Sequence, residues 1–270
     1  MSMILSQTRE QRGRIDLRGI IPERLSELDL SAIEQLPITA DNQSVPLSEF
    51  FSVRGNPSDD LTIVPGNNRL DYIGCLMKTG TITLLGDAGN HAGLEMQGGK
   101  LLIKGNSGDY TGSAIQGGEI IVQGDAGDSV GAPGAGMIRG QNGGAIHVKG
   151  RAGHRAGECQ RRGLLIIEGN VGDLAGYRMI AGTLYIGGST GIHTGLGMRR
   201  GTILLHQHAS ILPVTMNHSG SLPLTMLSLV NNLLRYYLTD NAPTISPDHH
   251  VTRYVGDLAC GGMGEIIILQ

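Results

Sequence analysis

TITLLGDAGNHAGLEMQGG (81–99), KLLIKGNSGDYTGSAIQGG (100–118), AIHVKGRAGHRAGECQRRG (145–163), LLIIEGNVGDLAGYRMIAG (164–182) and TLYIGGSTGIHTGLGMRRG (183–201) are copies of one 19-residue unit. A further copy opens at EIIVQGDAG (119–127) and carries seven extra residues around Gly131-Ala-Pro-Gly-Ala-Gly136. Each copy has a lead glycine (Gly86, Gly105, Gly124, Gly150, Gly169, Gly188), a second three residues later and a third four residues after that. Internal repetition at a fixed short period is the mark of a solenoid. The residues before each lead glycine, and again those before His206, alternate: Ile82/Leu84, Leu101/Ile103, Ile120/Val122, Ile146/Val148, Leu165/Ile167, Leu184/Ile186 and Ile203/Leu205 are all aliphatic, while the residues between them are mixed. That is the period-two pattern of strands with one face always inside. Met77, Met96, Ile115, Met179 and Met198 form a second inward column, with Gln160 standing where neighbouring units have Met. Nineteen residues are too few for a strand and a helical crossover but enough for one coil of a parallel β-helix. The expected fold is an all-β core, a right-handed parallel β-helix of about seven such coils, roughly 30 Å long at strand spacing. Its glycines are expected at corners, where φ is positive or successive coils approach closely.

Outward from the coils the pattern changes. Residues 1–60 read as an N-terminal cap or docking segment: a short strand and two helical turns lie within 14–37, with Pro22 at a helix start. The β-helix is assigned to 61–206, beginning with an imperfect coil in which Gly74 and Gly80 keep register. Residues 207–270 read as a C-terminal cap: an apolar helical pattern over 224–238, a loop over 241–248 and a final strand at 264–269. Open β-helix ends need such cover against edge pairing.

The composition narrows the function. Twenty-one Lys and Arg against 24 Asp and Glu give a net charge of -3, unlike a dedicated nucleic-acid binder. With no Trp and 2 Phe, a base-stacking platform or aromatic-lined pocket is not expected. Cys75, Cys159 and Cys260 form no CxxC pair and read as reduced thiols of a cytoplasmic protein. The N-terminus lacks an apolar run of signal-peptide length, and no stretch is apolar enough to span a membrane.

Candidate chemistry is sparse. His206 and His208 would share one face of a strand but lack further ligands, and His249-His250 has no partner spacing. His91, His154 and His193 stand five, four and five residues after their lead glycines, but Tyr110 and Leu174 interrupt them as a histidine ladder. The recurrent GxxGxxxG is expected to mark corners; six copies of a dinucleotide loop without following helices make no sense as a cofactor site. Asp109, Asp128 and Asp173 suit turns. No active site is expected on this chain. One asymmetry remains: Arg161-Arg162 and Arg199-Arg200 hold the same two places two coils apart, roughly 10 Å along one edge. Arginine pairs fit carboxylates, so these four are a candidate docking or guiding strip for an acidic partner or substrate chain, as against a merely solvated edge. The outer strand positions Leu102, Ile121, Ile166 and Leu204 suggest an exposed apolar face for a partner.

The tandem coils, Gly195-Leu-Gly-Met-Arg-Arg-Gly-Thr-Ile203, the opening Arg14-Ile-Asp-Leu with Pro22-Glu-Arg-Leu25, and the closing Gly256-Asp-Leu-Ala with Gly264-Glu-Ile resemble the C-subunit of formylmethanofuran dehydrogenase. More narrowly they resemble its relative in the bacterial formyltransferase/hydrolase complex. The coils alone are shared with the C-terminal β-helix of the glutamate synthase large subunit. The resemblance implies a non-catalytic subunit of a complex that moves formyl from tetrahydromethanopterin to a methanofuran-type coenzyme and hydrolyses it to formate. It implies three partners: an amidohydrolase-like subunit, a formyltransferase subunit and the remaining subunit of a four-subunit complex. Metals would then sit on those partners, with no cofactor on this chain. The alternatives are the C-subunit of a molybdenum or tungsten formylmethanofuran dehydrogenase, or a glutamate-synthase-like β-helix interaction module. Pro133 and Gln160 depart from the coil pattern, which affects local contacts only.

Overall fold

The computed structural model describes residues 2–9, 13–67, 69–207, 209–223, 227–238 and 250–269, without the side chains of Leu222 and Leu233. His208, His249, Leu224 and the expected loop over 241–248 lie outside the described residues. The N-terminal part runs β1 (Met3–Gln7), β2 (Arg14–Asp16), α1 (Pro22–Leu25), α2 (Leu30–Glu34), β3 (Pro37–Ala40), β4 (Gln43–Pro46), β5 (Phe51–Arg54), β6 (Asp60–Val64) and β7 (Arg69–Asp71). The repeats follow as β8 (Thr81–Leu84), β9 (Lys100–Ile103), β10 (Glu119–Val122), β11 (Asn142–Val148), β12 (Arg162–Ile167), β13 (Thr183–Ile186) and β14 (Thr202–Leu205). Then come β15 (Asn217–Pro223), α3 (Leu227–Tyr237), β16 (His250–Gly256) and β17 (Gly264–Ile268).

The core is all-β. A 13-stranded sheet has the order β15-β16-β17-β14-β13-β12-β11-β10-β9-β8-β6-β1-β5, and a small sheet has the order β4-β3-β2-β7. From β6 to β14 the neighbours are parallel, and in the repeats each inward residue faces its counterpart one unit on. Ile82 pairs with Leu101, Leu101 with Ile120, and Leu165 with Leu184. The seven-residue insertion leaves this register intact, since Ile120 pairs with Ile146 across it. β17, far along the chain from β14, adds the next parallel rung, with Ile203 opposite Ile266. Short parallel bridges recur on a second side of the unit, Ser107 with Ala126 and Ala152 with Val171.

The inward positions pack as expected: the aliphatic pairs of β8 to β14 and the methionine column are all fully buried. They form one continuous core with Ile15, Leu25, Ile33, Leu47 and Phe50 of the N-terminal part. Burial of an aliphatic side chain contributes about 1.5–3 kcal/mol, so this column is the main stabilising element. The seven extra residues bring a buried Gln141 beside the buried Gln160. The two amide nitrogens are satisfied on the backbone: Gln141 Nε2 donates to Leu164 O at 3.1 Å, and Gln160 Nε2 donates to Gly163 O and Thr183 O at 3.2 Å, while the buried Gln160 Oε1 has no partner among the described residues.

The glycines divide into two kinds. The third glycine of each unit and the one before or within the first residues of each strand have positive φ, as at Gly112 (64°) and Gly118 (82°). The lead and second glycines are there for room: a Cβ on Gly105 would overlap Asp87 Oδ1 and the Gly86 backbone. The aspartates and asparagines after these glycines do more than make turns. Each caps the next unit: Asp87 Oδ1 accepts from Asn106 N at 2.6 Å, Asn106 Oδ1 from Asp125 N at 2.9 Å, and Asp109 Oδ1 from Asp128 N at 2.9 Å.

The outer strand face departs from the sequence reading. Ile166 and Leu204 are fully buried because α3 lies over them, with Leu227, Leu234 and Leu238 packed on that side. Leu102 and Ile121, outside that cluster, are half-buried. An amphipathic helix on the same chain thus takes up half of the face expected to await a partner.

Candidate functional site

The arginine edge follows from the turn that precedes each strand. Gln160 and Met198 are buried, and Gly163 (φ 89°) and Gly201 (φ 96°) turn the chain into β12 and β14. The two residues between are left at the surface. Arg162, Arg199 and Arg200 are exposed and Arg161 is half-buried. Their backbones are held: Arg161 N donates to Gln141 O at 2.8 Å and Arg199 N to Met179 O at 2.8 Å. Ile180 and Ala181 fill the intervening rung, so the two pairs stand in one column roughly 10 Å apart.

Among the described residues none of Arg161, Arg162, Arg199 and Arg200 forms an ion pair. Arg151, by contrast, sits on Asp125 at 2.9 Å, and its hydrogen bonds hold the Asp125 carboxyl below the usual range. Arg253 is on Glu265 at 2.9 Å. Unpaired guanidiniums in a fixed column present donors in the planar fork that suits carboxylates.

Two histidines take structural positions, while His206 is half-buried with its Nδ1 lacking a partner among the described residues. His147 is buried on the outer face, its Nε2 2.7 Å from Glu168 Oε1 and its ring edge-on to Tyr237. His154 replaces an aspartate in the capping series, its Nδ1 accepting from Asp173 N at 3.0 Å. The column read as an interrupted histidine ladder is an aromatic stack instead. Tyr72, His91 and Tyr110 lie ring over ring at 4.8 and 5.1 Å, and the Arg18 guanidinium covers Tyr72 at 4.1 Å. Burial between the two tyrosines keeps His91 below the ordinary imidazole value. The signal that links these tyrosines to His91 in the sequence is the 19-residue spacing itself.

Residues 62–226 match the GXGXG motif family. A crystal structure of the formyltransferase/hydrolase complex from Methylorubrum extorquens with methylofuran contains a chain that superposes with a TM-score of 0.91, at 33% identity over 99% of both chains. This chain belongs to the C-subunit family of formylmethanofuran dehydrogenases. Within that family it is most like the C-subunit of the bacterial formyltransferase/hydrolase complex. In sequence it is 36% identical over 76 residues to the C-subunit of the formyltransferase/hydrolase complex Fhc of M. extorquens, 28% of this chain and 29% of that one. It is also 36% identical over 95 residues to the C-subunit of the molybdenum-containing formylmethanofuran dehydrogenase 1 of Methanothermobacter thermautotrophicus, 34% of this chain and 24% of that one. These curated sequence matches span less than a third of the relatives' own lengths. No helix among the described residues is long and apolar enough to cross a membrane.

Proposed function

We propose that this chain is the non-catalytic structural subunit of a complex that moves formyl from tetrahydromethanopterin to a methanofuran-type coenzyme and hydrolyses it to formate. The observation that carries the reading is the likeness over 99% of the chain to a member of a formyltransferase/hydrolase complex solved with methylofuran. The side chains of the repeats support it: their aspartates and asparagines are spent on backbone N–H groups of the next unit, which is scaffold chemistry. In this reading the repeats are the seven coils of a right-handed parallel β-helix over 61–206, with 1–60 and 207–270 as caps. The partners are an amidohydrolase-like subunit, a formyltransferase subunit, plus a fourth, all in the cytoplasm. They carry the metals, and this chain holds no cofactor of its own. The Arg161, Arg162, Arg199 and Arg200 strip guides the acidic tail of the coenzyme.

Gentle purification of the chain from its native cells tests this. Co-purifying amidohydrolase-like and formyltransferase subunits, with formyl hydrolysis only in the assembly, is the expected result. A stable lone monomer overturns it. The match to dehydrogenase C-subunits favours a second reading, a molybdenum or tungsten formylmethanofuran dehydrogenase, which a molybdenum- or tungsten-bearing protein in the purified set would establish.

A further inference from the structure

Lys149, Glu168, Gly187 and His206 follow directly on β11, β12, β13 and β14, one on each of four successive rungs. Each N–H donates to a carbonyl of the rung before, as Glu168 N to Val148 O at 2.9 Å and Gly187 N to Ile167 O at 2.8 Å. By strand alternation they face the same outer side as His147, Ile166, Tyr185 and Leu204. Around Gly187, which has no side chain, lies a cleft of about 370 Å³ walled by Lys149, Glu168, Tyr185, His206 and Leu238. A Cβ on Gly187 would lie 2.5 Å from Glu168 O, so the backbone itself keeps that place empty of side chain.

The polar groups on this cleft are left without partners. Lys149 and Glu168 are opposite charges on adjacent rungs, a relation that closes into an ion pair at 2.8 Å between Lys100 and Glu119. Here it stays open: Glu168 Oε1 is drawn to His147 Nε2 at 2.7 Å, and Lys149 has no carboxylate partner among the described residues. Tyr185 is 3% exposed, yet its hydroxyl makes no hydrogen bond among the described residues. Burial, with Glu168 nearby, pushes that hydroxyl up to about 12, so it remains a donor at neutral pH. Buried polar side chains are ordinarily hydrogen-bonded, and a partner for this one has to come through the cleft.

We propose that the cleft binds a small zwitterion of the amino acid class, its ammonium on Glu168 and its carboxylate between Lys149 and the Tyr185 hydroxyl. A lone anion would face the Glu168 carboxylate and a lone cation the Lys149 ammonium, whereas a zwitterion answers both charges that the rungs hold apart. The volume, near the lower end of the roughly 300–1,000 Å³ of ligand pockets, sets the size of the ligand. The site is complete on this chain and does not depend on the proposed function.

The test is a saturation-transfer NMR titration of the full chain with L-alanine as probe, set against acetate and ethylammonium, which carry one each of its two charges. L-alanine should bind saturably, and each single-charge probe on the order of tenfold more weakly. Tyr185→Phe keeps the buried ring and removes only the hydroxyl, and Lys149→Gln alters an exposed side chain, so both fold; each should weaken L-alanine on the order of tenfold. Arg151→Gln, which removes a cation paired with Asp125 outside the cleft, should leave the affinity unchanged. No saturable binding of L-alanine to wild type overturns the inference, as does acetate or ethylammonium binding as tightly. Affinity unchanged in Tyr185→Phe or in Lys149→Gln, or a loss of the same size in Arg151→Gln, overturns it as well.

Discussion

Gly118 and Gly136 have nearly the same backbone, φ 82° and 78°, but different surroundings. A Cβ on Gly118 would lie 2.6 Å from Gly99 O and 2.7 Å from Gly98 C, both backbone atoms of the preceding unit. A Cβ on Gly136 meets nothing within 4 Å. Alanine at either place carries the left-handed cost of about 1–2 kcal/mol. At Gly118 it adds overlap with backbone that cannot swing aside, about 1–3 kcal/mol more. For a chain of this size one kcal/mol moves Tm by roughly 2–4 °C. Gly118→Ala should therefore lower Tm by roughly 4–20 °C and Gly136→Ala by roughly 2–8 °C, with Gly118→Ala always the larger. Calorimetric scans of the two variants against wild type, at one scan rate, read the difference. Equal shifts would refute the argument that the units stack too closely for a Cβ, leaving only backbone strain.

Gln160→Met alone should cost about 1–3 kcal/mol, because Gly163 O, Thr183 O and Gln141 Oε1 lose their donor. The double change Gln141→Met with Gln160→Met should recover part of that in denaturant titration, since the rest of the column is apolar; a double variant worse than the sum of the singles would contradict this. Charge reversal of Arg161, Arg162, Arg199 and Arg200 to Glu should leave Tm within a few degrees and weaken coenzyme retention by the complex; unchanged retention sinks the arginine strip. Burial pushes the Cys75 thiol up to about 11, so it stays protonated and unreactive near pH 8 while Cys260, exposed, is alkylated. The sign for stability follows: the Cys75 contribution is intact below the ordinary thiol value of 9.0 and is lost as pH rises towards about 11, which mass-resolved alkylation and a pH series of melts both read.

The parallel rungs are legible in the sequence because two signals at one spacing coincide: the aliphatic alternation of Ile82/Leu84 through Ile203/Leu205, and glycines that leave no alternative at the turns. Even Gly74 and Gly80 of the imperfect unit take the conformation their register implies, with φ 69° and 84°. The cover over Ile166 and Leu204 is not legible, since helical periodicity in α3 says which face is apolar but not which surface it meets. The non-glycine residues with positive φ, such as Tyr72, His91 and Tyr110, are hidden for another reason: the left-handed region is read from glycine, and here hydrogen bonds between units hold bulky residues there. The column of arginines follows from spacing alone, whereas their want of a carboxylate partner among the described residues needs the fold, which sets where every acidic side chain lies.

The capping series has a direction. In each step the accepting side chain belongs to the earlier unit and the N–H to the later one: Asp71 to Asn90, Asp87 to Asn106, Asp128 to His154, Asp173 to Ile192. A nascent chain emerges from the ribosome in that same order, so each finished unit offers ready acceptors to the one being made. The side-chain caps thus give the stack a polarity that its two-way backbone bonding lacks.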